Sequence, residues 1–121
     1  MDSQPQVCVV DDDSSVRKAV GFMLRSSGFS VKTFATGEAL LEEVDLTETA
    51  CILLDLKMPG CSGLEIQEAL AEMGSPVPVI FLTGHGDVSS CTQAMKAGAI
   101  DFLEKPFAME DLLASIRRTV T

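Results

Sequence analysis

The sequence predicts one α/β domain, a parallel five-stranded sheet with helices packed on both of its faces. The chain has 121 residues, a length that fits one domain and leaves no room for a second. Short, continuous apolar runs, typical of strands buried on both faces, alternate five times with segments of helical periodicity. Such alternation favours a parallel sheet, because each right-handed crossover carries a helix across one face.

The predicted elements follow one another without an internal repeat or a low-complexity linker. The predicted strands are residues 7–10, 29–34, 50–54, 77–82 and 99–103. The first helix is expected from residue 14 to residue 27. Capping residues precede the first four helices, namely Asp13, Thr36, Ser62 and Asp87. Glycines end three of them, namely Gly28, Gly74 and Gly98. The last helix carries an amphipathic stripe of Met109, Leu112, Leu113, Ile116 and Val120.

The charge of the chain narrows the partners that it can have. The formal net charge is −9, from 18 acidic residues against nine Lys and Arg. Because a nucleic-acid backbone has to be neutralised by Lys and Arg, so acidic a chain is a poor DNA binder by itself. Action on DNA would therefore need an output domain that this sequence does not contain.

The cysteines and the hydropathy pattern indicate a cytoplasmic protein. Cys8, Cys51, Cys61 and Cys91 fit neither a C-x-x-C pair nor a zinc spacing. The polar start of the chain lacks the apolar core of a signal peptide, and no apolar run approaches the roughly 20 residues of a membrane span. We therefore expect reduced thiols, a cytoplasmic location and no membrane partner.

Polar side chains stand where four of the predicted strands end. They are Asp11, Asp12 and Asp13 after the first strand, Asp55 after the third, Thr83 after the fourth and Lys105 after the fifth. In doubly wound sheets the ligand site lies outside the carboxyl ends of the strands. We therefore expect these side chains to converge on one patch.

The residue types in this patch predict a Mg²⁺ site suited to phosphoryl chemistry. Crowded carboxylates repel one another, so a cation is needed to hold them together. Carboxylate oxygens without paired His or Cys suit Mg²⁺. The Lys105 ammonium can neutralise phosphate oxygens, the Thr83 hydroxyl can donate to one, and an aspartate can carry a phosphoryl group covalently.

Four motifs at these strand ends together resemble the receiver domain of two-component response regulators. They are Val-Val-Asp-Asp-Asp at residues 9–13, Leu-Asp-Leu-Lys-Met-Pro-Gly at 54–60, Phe-Leu-Thr-Gly-His-Gly at 81–86 and Lys-Ala-Gly-Ala-Ile-Asp-Phe-Leu-Glu-Lys-Pro-Phe at 96–107. Each motif is weak alone, but all four occur in order, and the likeness runs from residue 7 to the last helix. It implies a flavodoxin-like, doubly wound (βα)5 fold of strand order 2-1-3-4-5, with one receiver domain over residues 1–121.

The resemblance assigns the site residues by their positions in the motifs. It implies that Asp55 is the phosphoacceptor and that Lys105 contacts the phosphoryl oxygens. It also implies that Asp12 binds Mg²⁺ directly, that Asp11 acts mainly through water, and that Lys57 offers its backbone carbonyl to the metal.

The resemblance further implies a switch driven by a sensor histidine kinase. Thr83 matches the hydroxyl switch residue, Phe102 the aromatic switch position, and Pro106 the structural proline that follows the lysine. Phosphorylation would repack the face made by the predicted fourth helix, fifth strand and fifth helix. That change would favour a homodimer or release a DNA-binding output, here most like the LuxR-type helix-turn-helix class. The implied role is transcription regulation by a phosphoacceptor switch that is not a turnover enzyme.

Several side chains near the motifs have more than one interpretation. Asp13 is either a third metal ligand or, more readily, the cap of the first helix. Lys57 and His85 flank the predicted entrance, where they either modulate how water reaches the phosphoryl group or are ordinary loop residues. Cys61 is either a redox sensor or, more readily, an unreactive thiol.

The fifth predicted strand and the last predicted helix also carry residues with more than one interpretation. A strand aromatic such as Phe102 is ordinarily core, whereas the resemblance makes it a mobile switch residue. Arg117 and Arg118 are either a partner surface or solvated charge near a helix C-terminus.

Two rival functions use parts of the same pattern. A small Mg²⁺-dependent aspartyl-phosphate phosphatase would need D-x-D-x-T after the first strand, and Ser15 stands where the Thr should be, although Asp11 and Asp13 fit. A flavodoxin-like cofactor binder would need a Gly/Ser/Thr-rich phosphate loop where this chain has aspartates.

Overall fold

A computed structural model describes residues 5–56, 62–84, 96, 101–105 and 107–120 of the chain. The strands in these ranges are β1 (Gln6–Val10), β2 (Ser30–Phe34), β3 (Thr49–Asp55), β4 (Val79–Thr83) and β5 (Asp101–Glu104). The helices are α1 (Ser14–Ser26), α2 (Gly37–Glu43), α3 (Gly63–Glu72) and the C-terminal helix (Met109–Val120). Apart from residue 96, the helix predicted between β4 and β5 lies outside the described residues.

The five strands form one parallel sheet in the order β2-β1-β3-β4-β5, which confirms the predicted topology. β1 pairs with β2 on one side and with β3 on the other, and Val10 stands opposite Leu54 of β3. The carboxyl ends of β1 and β3 therefore lie side by side at one edge of the sheet.

Both faces of the sheet are covered by helices, as predicted. Successive strand residues point to opposite faces, so an apolar run feeds two cores at once. The core between the sheet and α2 and α3 includes Val10, Leu40, Leu54, Ile66 and Phe81. The core between the sheet and α1 and the C-terminal helix includes Val9, Leu24, Leu53, Leu82 and Ile116.

The predicted capping residues begin the described helices. Asp13 accepts a hydrogen bond from the Ser15 amide at 2.8 Å, and Thr36 caps α2 through the Ala39 amide. Ser62 forms a reciprocal capping box at the start of α3. The predicted cap at Asp87 lies outside the described residues.

The strand boundaries differ from the predicted ones where backbone chemistry intervenes. β4 begins at Val79 and not at residue 77, because Pro78 has no N–H to donate to a sheet ladder, although its carbonyl accepts from the Ile52 amide at 3.0 Å. β4 also extends through Thr83, so this hydroxyl belongs to the strand itself. The first predicted helix ends at Ser26, one residue early, and Gly28 follows with φ of 94°.

None of the described helices is both long enough and apolar enough to cross a bilayer.

Candidate functional site

Three carboxylates meet where β1 and β3 end. Asp11 and Asp12 follow β1 directly, and Asp55 is the last residue of β3. One carboxylate oxygen from each lies within 4.8 Å of the others. Asp11 and Asp55 are buried, whereas Asp12 is exposed, so the cluster opens to solvent on the side of Asp12.

Lys105 brings a positive charge into this cluster. Its Nζ lies 2.7 Å from Oδ2 of Asp11 and 3.6 Å from Oδ2 of Asp55. The Lys105 amide donates to the Thr83 carbonyl at 2.7 Å, which continues the β4–β5 ladder one residue beyond β5. The sheet therefore fixes the backbone from which the ammonium reaches the carboxylates.

The ammonium of Lys105 is held in its charged form. Partial burial acts to lower the pKa of Lys105, but the hydrogen bond to Asp11 and the charges of Asp55 and Asp11 outweigh it and raise this pKa above its usual range. The lysine is therefore a permanent cation at physiological pH.

Asp11 is fixed through its side chain and through its backbone. Its Oδ1 accepts from the Asp13 amide at 2.9 Å while Oδ2 accepts from Lys105. Nη1 of Arg17 donates to the Asp11 carbonyl at 2.7 Å. The sequence interpretation missed Arg17, and its one available signal was an arginine on the first turns of the helix that follows the acidic run.

Gly63 allows the start of α3 to press against the end of β3. A Cβ at this position would lie 2.5 Å from the Asp55 carbonyl oxygen and 2.9 Å from Cα of Leu56. The Gly63 amide also donates to the Leu56 carbonyl at 3.0 Å. Sequence reasoning recognised the cap at Ser62 but not this close approach, which makes glycine a requirement for the backbone position of Asp55.

The two predicted switch residues lie on neighbouring strands. Thr83 is buried, and its hydroxyl lies 3.5 Å from the Leu103 carbonyl, the outer limit of a hydrogen bond. Phe102 is 42% exposed on β5, so the interpretation of Phe102 as ordinary core is wrong. Its role as a switch residue stays a prediction.

Asp13 caps α1, which agrees with its interpretation as a helix cap. It lies outside the carboxylate cluster found among the described residues. Lys57, Cys61, His85 and Pro106, to which the sequence interpretation gave possible roles, lie outside the described residues.

Arg118 of the C-terminal helix forms an ion pair with β5. Its Nη2 lies 2.7 Å from Oδ2 of Asp101, and the buried Ser115 hydroxyl donates to the same oxygen at 2.8 Å. Burial acts to raise the pKa of Asp101, but the hydrogen bonds from Ser115, the Phe102 amide and Arg118 outweigh it and lower this pKa. The basic end of this helix is thus tied in part to the sheet.

The thiols of Cys8 and Cys51 are buried and free. Burial raises the pKa of both thiols, and the neighbouring Cys8 contributes to raising that of Cys51 to about 12. These two cysteines therefore behave as small apolar side chains, as expected from their strand positions.

The donor set of the cluster fits Mg²⁺. Among the described residues three carboxylates face one ammonium, so this part of the cluster keeps excess negative charge. Hard oxygen ligands with an open, exposed side suit an ion that retains several of its waters. Asp11, Asp12 and Asp55 are the described residues that would hold it.

The fold and this acidic strand-end site define a doubly wound α/β domain with a candidate metal site, and comparison with known proteins gives the family. The family model described as the response regulator receiver domain matches residues 7–117. The chain therefore belongs to this family and is a receiver domain of a two-component response regulator.

Individual relatives agree with the family. The response regulator protein TmoT of Ectopseudomonas mendocina is 46% identical over 96% of this chain and 53% of its own length. The transcriptional regulatory protein FixJ of Bradyrhizobium diazoefficiens is 38% identical over 99% of this chain and 58% of its own. The solved structure of the response regulator StyR superposes with a TM-score of 0.90 at 45% identity, covering 98% of this chain and 60% of that one. The chain thus spans about half the length of the curated relatives that it matches.

Proposed function

We propose that Asp55 accepts a phosphoryl group from the phosphohistidine of a sensor histidine kinase. The observation that carries this proposal is the position of Lys105, whose Nζ lies between the carboxylates of Asp11 and Asp55. An ammonium there can follow the negative charge of a phosphoryl group as that charge moves onto Asp55. A carboxylate oxygen of Asp55 forms the new bond to phosphorus while the bond from phosphorus to the imidazole nitrogen breaks.

The metal partner of this reaction is Mg²⁺ in our proposal. Asp11, Asp12 and Asp55 would hold it, together with the backbone carbonyl of Lys57, and when bound it would neutralise non-bridging phosphoryl oxygens. Asp11 keeps the site assembled through its contacts with Lys105 and Arg17.

The nucleophile in our proposal is Asp55 and not Asp11. Both carboxylate oxygens of Asp11 already accept hydrogen bonds, from the Asp13 amide and from Lys105, and its side chain is fully buried. The rival aspartyl-phosphate phosphatase would need Asp11 in that role. We therefore propose a switch that at most catalyses its own phosphorylation and dephosphorylation. Measurable turnover of p-nitrophenyl phosphate would contradict it.

The output of the switch runs through Thr83 and Phe102 in our proposal. The Thr83 hydroxyl, only weakly held by the Leu103 carbonyl, turns toward the phosphoryl group, and the exposed Phe102 ring moves inward behind it. The phosphoryl group shifts this equilibrium only through its different contacts with the two states. Repacking around β5 and the C-terminal helix would then favour a homodimer or free a helix-turn-helix output domain that binds DNA.

The setting proposed for this switch is the cytoplasm, where its transcriptional output would meet DNA. We also propose that Lys57 and His85 shield the phosphoryl group from water. Alanine at both positions should then shorten the lifetime of the phosphorylated protein, measured by mass spectrometry after the donor is removed. A lifetime that is unchanged or longer would contradict this shielding.

Acetyl phosphate with Mg²⁺ tests the phosphoacceptor directly. Intact-protein mass spectrometry should show addition of one phosphoryl group to the chain and none to Asp55→Asn. The matched control is Asp13→Asn, which removes a charge two residues from Asp11 but keeps a good helix cap. Phosphorylation of Asp55→Asn would contradict the assignment. An equal loss of phosphorylation in Asp13→Asn would contradict it as well.

A further inference from the structure

A cleft between α1 and β2 gathers positive charge on an otherwise acidic chain. Its volume is about 220 Å³, and its lining residues are Ser14, Arg17, Lys18, Arg25 and Thr33, which we call the α1–β2 cleft. The chain has nine Lys and Arg against 18 Asp and Glu, yet three of the nine line this one cleft. Its lining consists of three cations and two hydroxyls, all of which can donate hydrogen bonds.

Arg17 is held in place at one side of the cleft. Its Nη1 donates to the Asp11 carbonyl at 2.7 Å, a contact that uses one of the five N–H donors of a guanidinium. Because this contact fixes the planar group, little side-chain entropy remains to be lost when a ligand binds its other donors.

The Arg25 side chain lies over Gly21, where the absence of a side chain leaves room for it. Its Nη1 lies 3.2 Å from the point that a Cβ of Gly21 would occupy, and Cγ2 of Thr33 lies 3.9 Å from the same point. Nη2 of Arg25 reaches the Val31 carbonyl at 3.5 Å. The guanidinium therefore lies along α1 toward β2, beside the Thr33 side chain.

We propose that the α1–β2 cleft binds a phosphate group, as free orthophosphate or as the diphosphate of a small molecule. Guanidinium forks match phosphate oxygens geometrically, and the hydroxyls of Ser14 and Thr33 supply further donors. The cleft is smaller than the pockets that hold drug-sized ligands, so it suits a compact anion. This site is separate from the carboxylate cluster, whose cation is Lys105, and it does not depend on phosphorylation of Asp55.

Arg17 connects the cleft to the carboxylate cluster, because it lines the cleft and also donates to the Asp11 carbonyl. An anion that draws the guanidinium toward the α1–β2 cleft would alter its hydrogen bond to the Asp11 carbonyl. Binding should therefore be visible at the amide that follows this carbonyl, the amide of Asp12, as well as in the cleft.

The test is a ¹H–¹⁵N NMR titration of the 121-residue chain with sodium phosphate and, separately, sodium diphosphate. Mg²⁺ is omitted and ionic strength is held constant with NaCl. Saturable shifts are expected at Ser14, Lys18 and Thr33. Arg25→Gln should weaken binding by about tenfold, the value of one charge-assisted contact. Tighter binding of diphosphate than of phosphate would point to a diphosphate-bearing ligand. Equal affinity for the two anions would point to free orthophosphate as the ligand.

Lys32→Gln provides a matched control for this titration. Lys32 precedes Thr33 on β2 and therefore points to the opposite face of the strand, where its charge acts on Cys8 and Asp45. This variant should bind like the unchanged chain. An equal loss of affinity in Arg25→Gln and Lys32→Gln would mean that the anion responds only to the overall charge of the chain, and it would overturn the proposal. Shifts confined to Thr83 and Lys105, or no saturable shifts, would overturn it as well.

Discussion

Removing the exposed carboxylate of the acidic cluster should make the chain more stable without Mg²⁺ and less stable than the unchanged chain with it. In Asp12→Asn, without Mg²⁺, one of three carboxylates within 4.8 Å of one another becomes neutral while the buried pair and Lys105 stay in place. A pair of unit charges at that separation repels by about 1 kcal/mol in a water-like dielectric. Neutralising Asp12 removes two such repulsions, from Asp11 and from Asp55. The loss of attraction to Lys105 offsets part of this gain, so the variant should be more stable by roughly 1 kcal/mol.

With Mg²⁺ present, the order of the two proteins should reverse. A ligand at about ten to a hundred times its Kd adds roughly 1.4 to 2.7 kcal/mol to the free energy of unfolding of the state that binds it. The unchanged chain gains this stabilisation, whereas Asp12→Asn, having lost a metal ligand, gains little. The curves of stability against Mg²⁺ concentration should therefore cross.

Urea denaturation followed by far-UV circular dichroism measures stability without and with Mg²⁺. Circular dichroism is used because the chain has no Trp or Tyr to report unfolding by fluorescence. Glu68→Gln, the same charge change on the exposed face of α3, is the control and should show no crossing. Parallel curves for Asp12→Asn and the unchanged chain would refute the reasoning. An Asp12→Asn variant that is less stable without Mg²⁺ would do the same.

Three further predictions concern the scaffold. Gly63→Ala should lower the free energy of unfolding by about 1–3 kcal/mol, because its Cβ meets main-chain atoms at the end of β3; a urea melt like that of the unchanged chain would contradict this. Asp101→Asn should cost less than about 1 kcal/mol at pH 7, because the pair with Arg118 is partly exposed. A lowered carboxyl pKa gives stability that is present above the unfolded pKa of about 3.9 and is lost as pH falls through the folded pKa. The free energies of unfolding of Asp101→Asn and of the unchanged chain, measured by urea melts, should therefore converge at acid pH. A difference that widens at acid pH would contradict this. Cys8 and Cys51 should resist iodoacetamide in the native protein and react in urea, as mapped by peptide mass spectrometry; native labelling would show that burial does not protect them.

The parallel sheet and the meeting of the site residues could be predicted because they depend on patterns that sequence displays directly, whereas the strand order was implied by the family resemblance. Apolar runs that end in polar residues mark the carboxyl ends of buried strands, so Asp11, Asp55 and Lys105 were expected to meet, and they do. Caps such as Ser62 depend on neighbours three residues apart and are equally local.

The contacts that sequence reasoning missed depend on distances between separate elements. Gly63 is demanded by a main-chain approach to Asp55, which no local rule reveals. The contact of Arg17 with the Asp11 carbonyl requires the angle at which α1 leaves the sheet. The exposure of Phe102 depends on what covers the outer side of β5, and strand composition alone does not supply that.

The pair formed by Lys105 and Asp11 joins residues 94 positions apart in the chain. All three carboxylates of the cluster leave the ribosome before Lys105 does, because β5 is the last of the five described strands in the sequence. During synthesis the nascent sheet therefore carries this negative charge at the ends of β1 and β3 without the Lys105 ammonium, and contacts of such long sequence separation are slow to form. Divalent cations in the surrounding medium would help the first three strands to assemble, so an ion that binds the carboxylate cluster would also assist folding.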